Sequence, residues 1–171
     1  FLAAAERLRP AYGAFLDLGD GAALVSLSPE LFLRRRGRAV ETGPIKGTAP
    51  RSADPELAAR ERAALATSLK DAAEHVMIVD LMRNDLGRVA AYGSVRAPER
   101  PDVEPHPGLW HLVTRVRARL RDGVGDAALL RATFPPGSVT GAPKVQALKV
   151  ISALEATARE AYTGAIGFAS P

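Results

Sequence analysis

His111-Leu112-Val113-Thr114-Arg115-Val116-Arg117-Ala118-Arg119-Leu120 alternates: Leu112, Thr114, Val116, Ala118 and Leu120 face one way, arginines the other, with Val113 interrupting the arginine side. A period of two marks a strand with one face on a core and one in water. Working upstream, residues 97–107 carry Pro98, Pro101, Pro105 and Pro107 and read as a connector. Before them the pattern changes to helical. Asp54-Pro55-Glu56 is a helix start, with a capping carboxylate and a proline in the first turn, and the alanine-rich stretch that follows favours a long helix. Ala72, Val76, Val79 and Met82 recur at helical spacing, which carries helix through 75–81. Further upstream, residues 12–18 and 22–27 flank Gly19-Asp20-Gly21 as a hairpin, and 31–36 and 39–42 flank a second turn at Gly37-Arg38. Residues 43–51 read as a loop.

Downstream, Asp126 is placed to cap a short helix to 132. A Gly/Pro-rich loop, 135–141, leads into a helix over 142–158 with Val145, Leu148, Val150, Ile151 and Leu154 as its apolar face, and 165–169 reads as a closing strand. Hairpins mixed with long helices predict an α+β fold of antiparallel sheets and packed helices, not a doubly wound parallel sheet. The chain starts within what reads as the end of a helix and stops just after an apolar stretch. Residues 1–171 are therefore expected to be a domain incomplete at both ends.

Composition narrows the function classes. With 171 residues, 47% hydrophobic and 25% charged, the chain can build a core and is neither disordered nor membrane-spanning in pattern. No apolar run reaches the roughly 18 residues of a membrane crossing, and no signal peptide opens the chain, so a cytoplasmic setting is expected. The absence of cysteine excludes disulfide and thiolate chemistry. Net charge is +4, from 23 basic and 19 acidic residues. The arginine clusters at 34–38 and 115–121 read better as the wet faces of strands than as a nucleic-acid surface.

Three places can carry chemistry. Asp71 and Glu74, three apart on a helix, share a face, and Mg²⁺ needs little more than one or two carboxylates plus waters and ligand oxygens. The plain alternative is an exposed acidic pair. Lys46, in Pro44-Ile45-Lys46-Gly47-Thr48, is one of the chain's scarce lysines. A lysine whose neutral form is favoured serves as base or nucleophile, although a lone loop lysine is usually an ordinary surface charge. The loop from Pro135 to Lys144 offers glycines, hydroxyls and free helix-terminal N–H groups to an anionic carboxylate. Its spacing is not that of an ATPase phosphate loop, and a structural helix cap is the plain alternative.

Taken together, Ser28-Pro29-Glu30, the 44–48 loop, the run from Lys70 to Arg88, Trp110-His111-Leu112-Val113, the segment from Phe134 to Lys144 and Tyr162-Thr163-Gly164-Ala165-Ile166-Gly167 resemble one family. It is the chorismate-binding catalytic domain of anthranilate synthase component I, aminodeoxychorismate synthase component I, isochorismate synthases and salicylate synthases. These blocks occur in order over most of the chain, so together they are far more specific than any one of them.

The resemblance implies roles residue by residue. Lys46 stands where aminodeoxychorismate synthases carry a nucleophilic lysine and anthranilate synthases typically an alanine. Glu30 matches a general acid and His111 an active-site histidine. Gly47 and Thr48 match the ring-carboxylate pocket, Thr140 and Gly141 later pocket residues, and Tyr162 a position beside the enolpyruvyl group. Lys144 serves either the anionic pocket or a salt bridge within the fold. Glu74 matches an Mg²⁺ ligand, with Asp71 near the same ion.

The implied function is transfer of an amino group to C4 of chorismate, giving 4-amino-4-deoxychorismate for para-aminobenzoate and folate synthesis. Ammonia would come from a glutamine amidotransferase, and no nucleic acid or membrane is involved. The alternatives are anthranilate synthase component I and a noncatalytic fragment of this fold. Relatives also have an arginine-bearing strand, a glycine-rich segment and a helix with a further metal-binding glutamate beyond the matched region, and an N-terminal half before it.

Overall fold

The computed structural model describes residues 1–170. A short helix α1 (Leu2–Leu8) precedes the hairpin of β1 (Tyr12–Gly19) and β2 (Ala22–Ser28). Next come β3 (Leu31–Arg36), β4 (Ala39–Gly43) and β5 (Ile45–Pro50), then helices α2 (Pro55–Thr67) and α3 (Leu69–Gly87). Strands β6 (Asp102–His106), β7 (Leu109–Val113) and β8 (Val116–Arg119) follow, then α4 (Asp126–Thr133), a 3-10 turn (Gly137–Val139) and α5 (Lys144–Leu154). Pairing is antiparallel, in the orders β1-β2, β3-β4-β8 and β5-β7-β6. The fold is α+β, as the mixture of hairpins and helices predicts.

The 111–120 stretch is two strands in two sheets. It bends at Thr114-Arg115, opposite a second bend at Gly43-Pro44. Register runs from Thr42↔Val116 in one sheet to Ile45↔Val113 in the other, so one long antiparallel pair turns a corner. Pro44 has no N–H to continue the ladder, while its carbonyl accepts from the Thr114 N–H at 3.4 Å. A Cβ on Gly43 would lie 2.8 Å from Arg115 Nη1, so a larger residue there would displace the Arg115 guanidinium. The alternation still governs burial, because Leu112, Thr114, Val116, Ala118 and Leu120 are all buried. Arg117 and Arg119 are exposed, as a wet face requires.

Other expectations are corrected. Residues 43–51 are not a loop: β5 lies within them, paired with β7, and its prolines fall at the corner and at the strand end. The connector over 97–107 contains β6, an edge strand in which Pro105 leaves no central ladder position empty. The long helix divides at Ser68, which is extended and caps α3 by accepting from the Asp71 N–H at 3.2 Å. Asp54 caps α2 as its sequence implies, accepting from the Glu56 and Leu57 N–H groups. Asp126 is the first residue of α4 and Gly125 its cap.

The buried face of α3 is His75, Ile78, Val79, Met82, Asp85 and Leu86. Val76 lies outside it, exposed, because the polar His75 has a buried partner and takes the inward position. Val79 and Leu86 pack with Val40, Val116, Ala118, Leu120, Leu129 and Ala132 to form the main core. The last helix is shorter than its pattern, and none of its residues is buried. Residues 165–169 form no strand, since no partner strand lies beside them among the described residues. No helix among those residues is long and apolar enough to cross a membrane.

Candidate active site

The β5–β7 ladder slips by one residue between Ile45↔Val113 and Thr48↔His111. The slip is a bulge that skips Lys46 and Gly47, and Gly47 takes the left-handed conformation at φ +81°. Bulges re-aim side chains, and this one sends the Lys46 ammonium to Ser138, whose carbonyl accepts from Nζ at 3.3 Å. Gly47 is wedged between β7 and the start of α3. A Cβ there would lie 2.9 Å from Leu112 Cδ1 and 3.0 Å from Asp71 Cβ.

Glu30 sits in the connection between β2 and β3, where the Ser28 hydroxyl accepts from its N–H at 3.1 Å. Burial pushes the Glu30 carboxyl above the ordinary glutamate value. The Ser138 hydroxyl, the positive charge of Lys46 and the Ile45 main chain pull the other way without cancelling that rise. Three distant segments thus meet: the Glu30 carboxyl, the Lys46 amine and Ser138, which touches both. Ser138 was not among the expected site residues. Two hydroxyls, those of Ser138 and Thr140, lie in its loop, and only tertiary packing decides which one meets Glu30. That packing is tight, since a Cβ on Gly137 would overlap the Leu81 side chain of α3.

On the far side of the bulge, Thr48 Oγ1 and His111 Nδ1 lie 3.0 Å apart. Burial pushes the His111 ring below the usual histidine value, and the neighbouring His106, its ring centroid 4.7 Å away, pushes the same way. The Gly47 carbonyl and the Glu104 charge oppose this incompletely. His111 is therefore favoured as the neutral imidazole, able to hold a hydrogen bond or take a proton. Thr48 and His111 thus pair on one side of the bulge, and Lys46, Glu30 and Ser138 meet on the other.

The remaining expected residues lie elsewhere or are otherwise engaged. The Asp71 carboxylate accepts from the Ser68 hydroxyl at the start of α3. Glu74, a turn further along, is half exposed, with Lys70 at 3.9 Å. No group of three or more His, Cys, Asp or Glu side chains converges as a metal site among the described residues. The two carboxylates match the one or two that Mg²⁺ takes from a protein when ligand and water oxygens complete its shell. Lys144 follows the second of its two expected roles: its ammonium pairs with buried Asp85 and donates to the Thr133 carbonyl at 3.0 Å. Burial pushes the Asp85 carboxyl upward, against the opposing pull of Lys144 and Arg88. Thr140 turns inward on its own loop, donating to the Pro136 carbonyl at 3.1 Å, and Gly141 has φ +126°. Tyr162 is exposed, with the Arg159 guanidinium 6.0 Å from its ring centre.

Across known families, residues 1–171 match the one described as chorismate binding enzyme. The chain belongs to the chorismate-binding enzyme family. Within that family it is 55% identical over 162 residues to aminodeoxychorismate synthase component 1 of Klebsiella aerogenes, covering 95% of this chain and 36% of that protein. It is 46% identical over 156 residues to anthranilate synthase component 1 1 of Haloarcula marismortui, covering 91% and 32%. The crystal structure of anthranilate synthase component I from Streptococcus pneumoniae TIGR4 superposes with a TM-score of 0.78 at 33% identity, covering 90% of this chain and 33% of that one. The chain thus spans about a third of the length of the relatives it matches. Its kinship is to component I of the aminodeoxychorismate and anthranilate synthases.

Proposed function

We propose that this chain carries the catalytic residues of an aminodeoxychorismate synthase component I, which aminates chorismate at C4. The observation that supports this reading is the meeting of Lys46, Glu30 and Ser138 at the β5 bulge. A lysine there supplies an amine nucleophile beside a carboxyl whose burial favours the protonated form. In this reading the neutral Lys46 amine forms a bond to C2 of chorismate. Both ring double bonds shift by one position, the C–O bond at C4 breaks, and Glu30 gives its proton to the departing hydroxyl, which leaves as water. Ammonia then forms the C–N bond at C4, both ring double bonds shift back, and the C2–N bond to Lys46 breaks to release it as a free amine.

His111 and Thr48 would orient the ring carboxylate against the Gly47 main chain. Thr140, Gly141 and Tyr162 would close the pocket. Asp71 and Glu74 would hold Mg²⁺, which when bound neutralises a substrate carboxylate. A glutamine amidotransferase would supply the ammonia, and the reaction would take place in the cytoplasm. The product belongs to the route toward para-aminobenzoate and folate.

The test is mass spectrometry after incubation of the protein with chorismate, Mg²⁺ and ammonia. The expected result is aminodeoxychorismate, lost in Lys46→Ala, with a chorismate-derived adduct on Lys46 in the unmodified sequence. Anthranilate or isochorismate as product, or unchanged turnover in Lys46→Ala, would overturn the reading.

A further inference from the structure

His75 is 1% exposed and has no part in the chemistry above, yet it lies beneath the residue proposed as nucleophile. Its Nε2 is 2.7 Å from Thr114 Oγ1, and Thr114 is itself buried and tied through its N–H to the Pro44 carbonyl. Its Nδ1 is buried without a partner in hydrogen-bonding geometry. The main-chain carbonyl of Lys46 stands beside the ring. The bulge explains why that carbonyl wants a partner. The ladder skips Lys46 and Gly47, which share Leu112 as their single opposing residue on β7, so the regular exchange of ladder hydrogen bonds is broken there. Buried carbonyls left out of a ladder need a donor from elsewhere. The Gly47 carbonyl has His111 beside it on the other side of the strand.

The tautomer follows from the two neighbours. A threonine hydroxyl both donates and accepts, so Thr114 suits either form of the ring, whereas a carbonyl only accepts. Only a proton on Nδ1 serves Thr114 and Lys46 together. We infer that His75 is a positioning residue: anchored by Thr114 at Nε2, it presents an Nδ1–H to the Lys46 carbonyl and so sets the bulge that aims the Lys46 amine at Ser138 and Glu30. Helix α3, which carries Asp71 and Glu74 on its first turns, thereby fixes the nucleophile as well. This inference rests on the proposed role of Lys46 and adds the residue that orients it.

The experiment is competitive isotopic acetylation of the protein, reading the reactivity of Lys46 by mass spectrometry with Lys70 and Lys149 as internal standards, together with kcat and KM. Asparagine places its amide nitrogen where Nδ1 stands, and glutamine places its own near Nε2. His75→Asn is expected to keep the Lys46 ratio within about twofold, and His75→Gln and His75→Ala to change it at least fivefold. In those two variants kcat falls and KM stays within about threefold. Nitrogen-15 NMR of the unmodified protein should show His75 protonated at Nδ1. Equal behaviour of the Asn and Gln variants, or a ring protonated at Nε2, would overturn the inference, and this pair decides it even where the alanine variant does not fold. The labelling needs no substrate, so turnover that survives Lys46→Ala would sink the proposed chemistry while leaving the positioning result standing.

Discussion

Gly47→Ala is the sharpest perturbation of the bulge, because two separable penalties fall on one atom. At φ +81° an alanine pays the steric penalty of the left-handed region, about 1–2 kcal/mol. Its Cβ would also press to 2.9 Å from Leu112 Cδ1 and 3.0 Å from Asp71 Cβ. Leu112 is 1% exposed, and Asp71 is held in the first turn of α3, so neither moves freely. Overpacking of this kind adds about 1–3 kcal/mol, for a total of about 2–5 kcal/mol. Gly37 supplies the control: it is left-handed at φ +57° in the β3–β4 turn, and a Cβ there would meet nothing within 4 Å. Gly37→Ala therefore carries the backbone penalty alone. Urea denaturation with unchanged m-values measures both variants on one scale. Gly47→Ala should be the less stable by about 1–3 kcal/mol, and turnover should drop by roughly 10² because the nucleophile shifts. Equal destabilisation of the two variants would refute the wedge between β7 and α3.

Lys144→Ala leaves the Asp85 carboxyl buried without its partner and should cost about 3–5 kcal/mol in chemical denaturation. A Lys144→Met, Asp85→Leu double variant should recover much of that loss, whereas a loss no larger than that of an exposed ion pair would mean the two groups are solvated. Glu30 titrates above the ordinary value of 4.5, so the folded protein holds that proton more tightly than the unfolded chain. Its ionisation therefore removes stability as pH rises from about 4.5 through the raised folded value. Glu30→Gln should match the parent protein at pH 4 and gain on it toward pH 7; a gain confined to acid pH would reverse the sign argued here. Gly137→Ala drives a methyl into Leu81 and should lift Ser138 away from Lys46. Turnover should fall by more than tenfold and be partly restored by Leu81→Ala, a rescue that a purely local effect on the 3-10 turn would not show.

Period-two and period-3.6 patterns made the hairpins, the 111–120 alternation and the Asp54 cap legible, because each depends on neighbours in sequence. β5 and β6 were not legible. Gly47 and the prolines look like loop chemistry until a partner strand is present, and β5 pairs with β7 residues 59 to 68 positions away. Ser68 divides the helical run through its cap, a choice that alanine-rich flanks hide. On α3, Val79 and Met82 are buried as their spacing implies, but Val76 is exposed and His75, held by Thr114, takes the inward position, which periodicity alone does not show. At the site, Lys46 and Glu30 could be named from family resemblance, but not their common contact with Ser138, nor the retreat of Lys144 to Asp85. Both depend on how the 134–144 loop seats against α3.

That seating couples the two reactive groups. Burial raises Glu30 toward its protonated form, and the same Ser138 that neighbours its carboxyl accepts from Lys46 Nζ. If the loop lifted away, Glu30 would become more solvated and Lys46 would lose its carbonyl together. In the proposed chemistry, the acid that must be protonated and the amine that must attack are thus readied by one packing event, not by two independent ones. Gly137 lets the turn seat this closely, since a Cβ there would overlap Leu81 Cδ2 and force that side chain or the turn to move. The Gly47 bulge provides the other half by presenting Lys46 from the opposite side. Neither glycine touches a reacting atom in the proposed chemistry, yet each brings backbone closer than any other residue could, and so each should affect turnover more than stability alone would predict.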